Sequence, residues 1–175
     1  MTMKSLLITG ATGHLGHAVL ERLSREYNCL LMTRTEFPKF DRIFGVLHLA
    51  GAFTMGSSPD DFSKMLDANL LSAVRAIEGA REKIEDGGRI IGISSIASRT
   101  TPKGLAAYAS AKAALNAYIE VLAKEFQPRH ITANALLPST LGPNDIPFER
   151  VAETIAFLLS DAAVSITGQL IAMTP

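Results

Sequence analysis

Residues 5–16 read SLLITGATGHLG, an apolar run that leads directly into three glycines and then into a helical pattern. Glycines at this spacing permit a tight turn at Gly10, a close approach of backbone to a pyrophosphate at Gly13 and close packing of the helix at Gly16. The helix that follows offers unpaired amides to an anion. An empty structural turn can use the same glycines, but the strand before them and the helix after them favour dinucleotide binding. The candidate cofactor contacts in this turn are Gly10, Thr12, Gly13, His14, Leu15 and Gly16.

Short apolar runs and longer segments of helical spacing alternate along the rest of the chain. This alternation is typical of an α/β fold in which helices cover both faces of a doubly wound parallel sheet. We expect six strands, near residues 4–9, 29–33, 45–50, 89–94, 131–137 and 169–173. We expect four helices, near residues 14–26, 60–85, 105–127 and 148–160, with Gly87 and Gly88 ending the second helix and starting the next strand.

The connection between the second and third predicted strands is unusually short. It has ten residues, 35–44, and includes Pro38, so it has no room for a helix, a further strand and another helix. A crossover between parallel neighbours normally needs a dozen or more residues. We expect a loop, or a short turn of helix, that passes from one side of the sheet to the other.

Composition narrows the class of protein. The 175 residues are 47% hydrophobic without a long low-complexity tract, which predicts a single domain over residues 1–175. Seventeen basic residues balance seventeen acidic ones, so no excess charge points to nucleic acid or an anionic membrane. The lone Cys29 cannot form an internal disulfide, and the apolar run at residues 5–8 is too short to span a membrane. We expect a cytoplasmic protein with no nucleic-acid, membrane or metal partner.

Tyr108 and Lys112 stand four residues apart, which puts a phenol and an ammonium on one face of a helix, one turn apart. A nearby positive charge favours the phenolate and can bring a tyrosine into the range needed for proton transfer. Taken alone, the pair is weak evidence, because a core tyrosine beside a surface lysine often arises on helices by chance. Ser95, at the end of the apolar run 89–94, adds a hydroxyl that favours a catalytic interpretation.

The cofactor preference is predicted from the residues that follow the second strand. Twenty residues after Gly13, where an NAD site has an acid for the ribose hydroxyls, the chain has Thr33 and then Arg34. A guanidinium can pair with a 2′-phosphate, which an acid would repel. We therefore expect NADP in preference to NAD, although NAD remains possible. Arg34 can equally be a solvated loop charge, and Glu36 can take the ribose role.

As a set, the motifs resemble those of the short-chain dehydrogenase/reductase family over nearly the whole chain. The resemblance includes the glycine turn, a His48-Leu49-Ala50-Gly51 stretch where the family usually has Asn-Asn-Ala-Gly, and Asn69 within a helix. It continues through Ser95, Tyr108, Lys112, the Asn134–Pro138 region and Thr167-Gly168-Gln169.

The resemblance implies an oxidoreductase that transfers a hydride between NADP(H) and a small carbonyl or alcohol substrate. Tyr108 would exchange a proton with the substrate oxygen, Ser95 would orient that oxygen, and Lys112 would lower the tyrosine pKa and hold the nicotinamide ribose. Asn69 would anchor a water in the proton relay. Further cofactor contacts implied by position are Ala50, Gly51, Ala52, Pro138 and Leu141.

The chain also departs from the family pattern. The short link at 35–44 removes one family strand and a wall of the adenine pocket, and Ser139 and Pro143 stand where the family has other residues. The substrate lid is reduced to about residues 141–147, which implies an open site. These deletions keep a second class of function open, a non-catalytic nucleotide-binding or scaffold protein. The glycine spacing also suggests a sugar-nucleotide epimerase, which the absence of a C-terminal substrate domain disfavours.

Two predicted helices carry more apolar surface than one sheet face needs. The helix at 105–127 is rich in alanines that permit close helix approach, and in the family the helix at 60–85 lies beside it. We expect a homodimer or homotetramer that uses these two helices. The alternative is that the alanines pack only on the sheet.

Overall fold

The computed structural model describes residues 3–142 and 144–175, so Pro143 lies outside the described residues. Six parallel strands form one sheet in the order β2-β1-β3-β4-β5-β6, which confirms the predicted α/β fold. The strands are β1 (Lys4–Thr9), β2 (Tyr27–Met32), β3 (Ile43–His48), β4 (Ile84–Ile93), β5 (Thr132–Pro138) and β6 (Leu170–Met173).

The start of β4 differs most from its predicted position. The strand begins at Ile84, before the two glycines that were expected to launch it, and its register against β3 shifts between Ile43 and Gly45. Gly87 has a φ of 77°, and a Cβ on Gly88 would lie 2.6 Å from the carbonyl oxygen of Phe44. The glycines therefore form an irregularity inside the strand, and the preceding helix has already ended.

Within the described residues, six α-helices flank the sheet. They are α1 (His14–Leu23), α2 (Pro59–Leu66), α3 (Ser72–Ala80), α4 (Ala97–Thr100), α5 (Ala106–Glu125) and α6 (Phe148–Leu159). The single helix predicted over 60–85 is instead α2, a five-residue π-helical turn (Asp67–Leu71) and α3. Ser58 and Asp61 form a capping box at the start of α2, with Pro59 at its first position, as the sequence of this segment favours.

The core has one layer on each face of the sheet. Leu6 and Ile8 of β1 pack with α1 and α6, whereas Leu7 between them packs with α3 and α5. Every residue of β3 and β5 is buried, as expected for strands of a parallel sheet that is covered on both sides. Within the described residues, no helix combines the length and apolarity that crossing a membrane requires.

The link between β2 and β3 has no helix. Residues 33–42 are irregular and pass across β1, because β2 and β3 lie on opposite sides of that strand. Phe40 joins the core on the α3 side, and a Cβ on Gly79 of α3 would lie 2.8 Å from the Phe37 ring. Two phenylalanines thus cover the area that a crossover helix would cover.

The direction of the strands determines where a site can form. Because all six strands are parallel, their carboxyl ends meet at one edge of the sheet. The chain reverses its winding direction between β1 and β3, and the crevice outside the ends of such strands is the usual ligand position in this kind of sheet.

Candidate functional site

The glycine turn after β1 has three glycines with different structural requirements. Gly10 has a φ of 71°, and a Cβ there would lie 2.5 Å from the Ala50 nitrogen. A Cβ on Gly16 would lie 2.4 Å from the carbonyl oxygen of Gly10. At Gly13, by contrast, the nearest atom would be 3.6 Å away, an ordinary contact. Packing therefore requires glycine at 10 and 16, while position 13 has room for a side chain.

Helix α1 begins at this turn with Gly13 as its N-cap. No side chain caps the helix, and its first turn contains no acidic residue, so its positive end is available to an anion. Thr12 and His14 are exposed, and the His14 ring stacks on Phe148 with 5.6 Å between ring centres. The Leu15 side chain is buried in the core, which leaves only its backbone for a ligand.

Arg34 lies at the same edge of the sheet. Thr9 and Met32 end two paired strands side by side. A tight turn follows Met32, and in it the backbone nitrogen of Glu36 donates a 3.0 Å hydrogen bond to the Thr33 hydroxyl. Arg34 and Glu36 are both exposed in this turn. The turn therefore presents one basic and one acidic side chain beside the glycine turn.

Helix α5 brings three of the four predicted catalytic side chains together. The Lys112 ammonium donates a 2.8 Å hydrogen bond to the carbonyl oxygen of Ile93, and the Ser94 hydroxyl donates a 3.2 Å hydrogen bond to the Lys112 carbonyl oxygen. These two bonds fasten α5 to the end of β4. Tyr108, one turn earlier, thereby lies against Ser95, and the Lys112 nitrogen is 5.8 Å from the centre of the Tyr108 ring.

Burial dominates the electrostatics of this group. It lowers the pKa of Lys112 to about 8, because the ammonium is almost fully removed from solvent. It raises the pKa of Tyr108, and the neighbouring Ser95 side chain only opposes that effect. Desolvation of the phenol therefore sets the direction of the Tyr108 pKa, and the expected effect of Lys112 on that pKa stays a prediction.

Asn69 lies in the π-helical turn and is fully buried. Its amide nitrogen donates to the carbonyl oxygens of Ala52, at 2.9 Å, and Met65, at 3.0 Å, and its amide oxygen accepts from the Ala52 nitrogen at 3.3 Å. The side chain thus clamps the loop after β3 to the helix. A Cβ on Gly51 would lie 2.8 Å from the Asn69 oxygen and 3.3 Å from the Lys112 nitrogen, so Asn69 and Lys112 border one small space.

Two hydrogen bonds that were not predicted from the sequence connect Asn116 of α5, through Ser98, to the backbone of Ser95. Asn116 donates a 2.8 Å hydrogen bond to the Ser98 hydroxyl, which donates a 2.6 Å hydrogen bond to the Ser95 carbonyl oxygen. The signal that could have found it is spacing, because Asn116 follows Lys112 by four residues and shares its helix face.

Two apolar side chains are exposed in the loop after β3, and one of them contacts the tyrosine. The Phe53 ring meets the Tyr108 ring edge to face, with 5.0 Å between centres, and 62% of Phe53 is exposed. Met55 is 68% exposed in the same irregular segment. Sequence analysis missed both residues, although large apolar residues in a segment without strand or helix are a recognisable signal.

The loop after β5 completes the edge. Pro138 accepts a 3.0 Å hydrogen bond from the Ile96 nitrogen, which joins this strand to the Ser95 segment. Leu141 pairs with Ile146, and Gly142 donates to the Ile146 carbonyl oxygen at 3.0 Å, so the loop closes on itself. The Ser139 hydroxyl is buried and has no hydrogen-bond partner among the described residues.

Comparison with known proteins gives the family. A family model described as enoyl-(acyl carrier protein) reductase matches residues 32–144. A 3-oxoacyl-[acyl-carrier-protein] reductase of Aquifex aeolicus is 26% identical, with coverage of 95% of this chain and 84% of the relative. A chloroplastic NADPH-dependent aldehyde reductase-like protein of Arabidopsis thaliana is 29% identical, with coverage of 66% of this chain and 52% of the relative, so the match spans about half of that relative.

A solved structure agrees with both sequence matches. A short-chain dehydrogenase/reductase from Serratia marcescens superposes with a TM-score of 0.86 at 26% identity, covering 97% of this chain and 95% of that one. The matched segment includes β3, β4, β5 and the residues that hold Ser95, Tyr108 and Lys112 together. The chain belongs to the short-chain dehydrogenase/reductase family.

Proposed function

We propose that this protein is an NADP(H)-dependent oxidoreductase that acts on a small carbonyl or alcohol substrate. The observation that carries the proposal is the convergence of Ser95, Tyr108 and Lys112 at the carboxyl edge of the sheet. A buried ammonium held only by a carbonyl oxygen costs folding free energy, and a scaffold has no need of it. Ionisable groups with shifted pKa values at a cleft are typical of catalytic sites.

The residues at this edge fit the phosphate and nicotinamide portions of a dinucleotide. Position 13 has glycine although packing leaves room for a side chain, so backbone access for a ligand is a physical reason for the glycine. The uncapped start of α1 suits a pyrophosphate. The remaining proposed contacts are Gly10, Thr12, His14, Leu15 and Gly16 in the turn, Ala50, Gly51 and Ala52 after β3, and Pro138 and Leu141 after β5.

Each catalytic residue has a role that its surroundings support. When bound, the nicotinamide supplies or accepts the hydride. The raised pKa keeps the Tyr108 phenol protonated, which suits a donor of a proton to a carbonyl oxygen, and Ser95 hydrogen-bonds the same oxygen. Lys112 holds positive charge beside them. Asn69, whose side-chain amide is engaged by Ala52 and Met65, acts by holding the loop after β3 in position.

The rim of the site favours an apolar carbonyl substrate. Phe53 exposes apolar surface next to Tyr108, and Met55 exposes more of it close to Gly104, just before α5. The two relatives named above are described as reductases of aldehydes and of 3-oxoacyl groups, which are both carbonyl compounds. We therefore infer a small aldehyde or ketone with an apolar or aromatic substituent.

The preference for NADP rests on Arg34, whose exposed guanidinium can pair with a 2′-phosphate beside the glycine turn. The test is a titration of the protein with NADPH and with NADH, followed by cofactor fluorescence. Saturation at lower concentration with NADPH supports the proposal. Equal affinities would remove the role of Arg34.

A non-catalytic nucleotide-binding or scaffold protein is the competing function. The observation in its favour is the irregular link at 33–42, which leaves the adenine end of the crevice without the strand and helices that would wall it. The titration separates the two functions, because absence of binding at millimolar concentrations of either cofactor would support the scaffold.

We also propose a homodimer or homotetramer that assembles through α5. Small side chains form an exposed row along this helix, and the larger Val121 near its end is 49% exposed. The row comprises Ala106, Ser110, Ala113 and Ala117. Sedimentation velocity at micromolar concentration tests the proposal, and a monomer would overturn it. Ala113→Glu should dissociate the assembly without lowering the thermal stability of the subunit.

A further inference from the structure

A buried row of hydrogen bonds connects β1, β3 and the helix that carries Asn69. The Thr9 hydroxyl lies 2.9 Å from His48 Nδ1, and His48 Nε2 lies 3.4 Å from the Ser72 hydroxyl. The Ser72 hydroxyl donates a 2.7 Å hydrogen bond to the Ala68 carbonyl oxygen. At the other end, Ala50 donates from its backbone to the Thr9 oxygen at 3.2 Å. His48 is fully buried between the two hydroxyls.

The donors and acceptors in this row fix the tautomer of His48. Because Ser72 donates its proton to Ala68, its oxygen must accept from His48 Nε2. The Nδ1 atom then accepts from Thr9, whose oxygen already accepts from Ala50. The row is therefore complete only with a neutral, Nε2-protonated imidazole. Burial supports the same state, since it lowers the pKa of His48 to about 3.

Ser72 has a specific task in the π-helical turn. In an α-helix its backbone N–H would bond to the carbonyl of Ala68, four residues earlier, but here it bonds to Asp67, five residues earlier. The Ala68 carbonyl thereby loses its normal partner, and the Ser72 hydroxyl replaces it. The hydroxyl thus satisfies the carbonyl group that the π-helical turn leaves unpaired, directly before Asn69.

We propose that His48 is a positioning residue which, through Ser72, holds the π-helical turn that presents Asn69 and, through Thr9, ties this turn to the glycine turn. One imidazole thereby connects the strand end before Gly10 with the loop that Asn69 clamps. Its effect on turnover rests on the proposed function. Its effect on the structure of residues 67–72 does not.

The first experiment determines which ring nitrogen of His48 carries the proton. Nitrogen-15 shifts of His48 in the full chain at pH 7 should show a protonated Nε2 and an unprotonated Nδ1. An Nδ1-protonated or doubly protonated ring would overturn the inference, because neither can complete the row. This measurement needs neither cofactor nor substrate.

The second experiment uses Ser72→Ala, which removes the hydroxyl and leaves the sheet untouched. Amides of residues 67–72 should exchange with deuterium roughly five- to ten-fold faster, the equivalent of one ordinary hydrogen bond. Ser63→Ala is the matched control, because Ser63 in α2 makes the same kind of bond to Pro59, four residues earlier, at 3.0 Å. Ser72→Thr retains the hydroxyl and should restore slow exchange. Unchanged exchange in Ser72→Ala would overturn the inference.

Variants of His48 distinguish its contact with Thr9 from its contact with Ser72. His48→Asn retains a short polar group near Thr9 but cannot reach Ser72, whereas His48→Gln can reach Ser72. Fast exchange at 67–72 is expected for the asparagine variant only. Once turnover has been established, kcat should be lower in the variants whose amides at 67–72 exchange faster. The KM for NADPH should stay within about two-fold of the wild-type value. A protein without any turnover that still shows these exchange patterns would contradict the proposed function and leave the role of His48 intact.

Discussion

The Lys112 ammonium donates a 2.8 Å hydrogen bond to the carbonyl oxygen of Ile93, the last residue of β4. No acidic side chain is in contact with it among the described residues. The bond fixes α5 against the sheet and holds a positive charge next to Tyr108. Its energetic consequence is a buried cation whose pKa is lowered to about 8.

This lowered pKa predicts how stability changes in alkaline solution. Between pH 8 and 10.5 the unfolded chain holds a proton on Lys112 that the folded protein has lost, so stability rises with pH in this window. The contribution is roughly 1.4 kcal/mol per pH unit. Urea unfolding from pH 7 to 10 should show this slope as the difference between wild type and Lys112→Met. A difference that does not change with pH would contradict the assignment.

The lowered pKa of His48 predicts how stability changes in acidic solution. Burial lowers its pKa from the ordinary 6.5 to about 3, so the unfolded chain binds a proton that the folded protein does not. Stability should therefore fall as the pH falls from about 6.5 towards 3, by up to roughly 1.4 kcal/mol per unit from this residue. His48→Asn should remove that component of the acid unfolding profile. His17→Gln, a change at an exposed position of α1, is the control and should leave the profile as it is.

Substitutions at two glycines of the turn should affect cofactor binding and folding separately. Gly13→Ala should fold normally, because its Cβ meets no atom closer than 3.6 Å, yet it should weaken NADPH binding. Gly16→Ala should lower the free energy of unfolding by about 1–3 kcal/mol, because its Cβ would lie 2.4 Å from a backbone oxygen. Chemical unfolding and fluorescence titration measure the two effects. Unchanged NADPH affinity in a folded Gly13→Ala would argue for an empty structural turn.

Cofactor preference should depend on Arg34. Arg34→Glu removes a charge-assisted pair with the 2′-phosphate and adds a repulsion, so NADPH should bind roughly ten-fold or more weakly. NADH lacks that phosphate and should bind as before or better. Lys39→Glu changes an exposed charge on the same link and serves as the control. A loss of the same size for both cofactors would indicate that Arg34 acts on folding or on the turn in general.

The fold could be predicted from sequence because its signals are local. The period of the apolar residues located six strands and the main helices, and the length of the 35–44 segment was enough to predict the unusual link. The π-helical turn at 67–71 could not be predicted, because it depends on bonds from Asn69 and Ser72 to groups placed by the tertiary fold. Helix α4 was missed for a related reason, since its four residues are too few to show a period.

In the candidate site, too, some features could be predicted from local sequence and others depend on the tertiary fold. Spacing predicted that Tyr108 and Lys112 share a helix face, the family resemblance added Ser95, and the structure brings the three residues together. The direction of the Tyr108 pKa shift could not be predicted from spacing, because the burial of the phenol that raises it depends on the tertiary fold. Phe53 and Asn116 stand close to recognised motifs in the sequence, but their contacts with Tyr108 and Ser98 depend on the tertiary fold.

The central claim is that Tyr108 transfers a proton to the substrate, and one comparison tests it most directly. NADPH-dependent reduction of small aromatic and aliphatic aldehydes should be measured for wild type, Tyr108→Phe and Tyr118→Phe. Tyr118 lies ten residues further along the same helix, and its hydroxyl donates a 2.7 Å hydrogen bond to Glu78. We expect Tyr108→Phe to lose at least about a hundred-fold in kcat, as removal of a general acid does, while Tyr118→Phe remains near wild type. Turnover that survives in Tyr108→Phe at the wild-type rate would contradict the account.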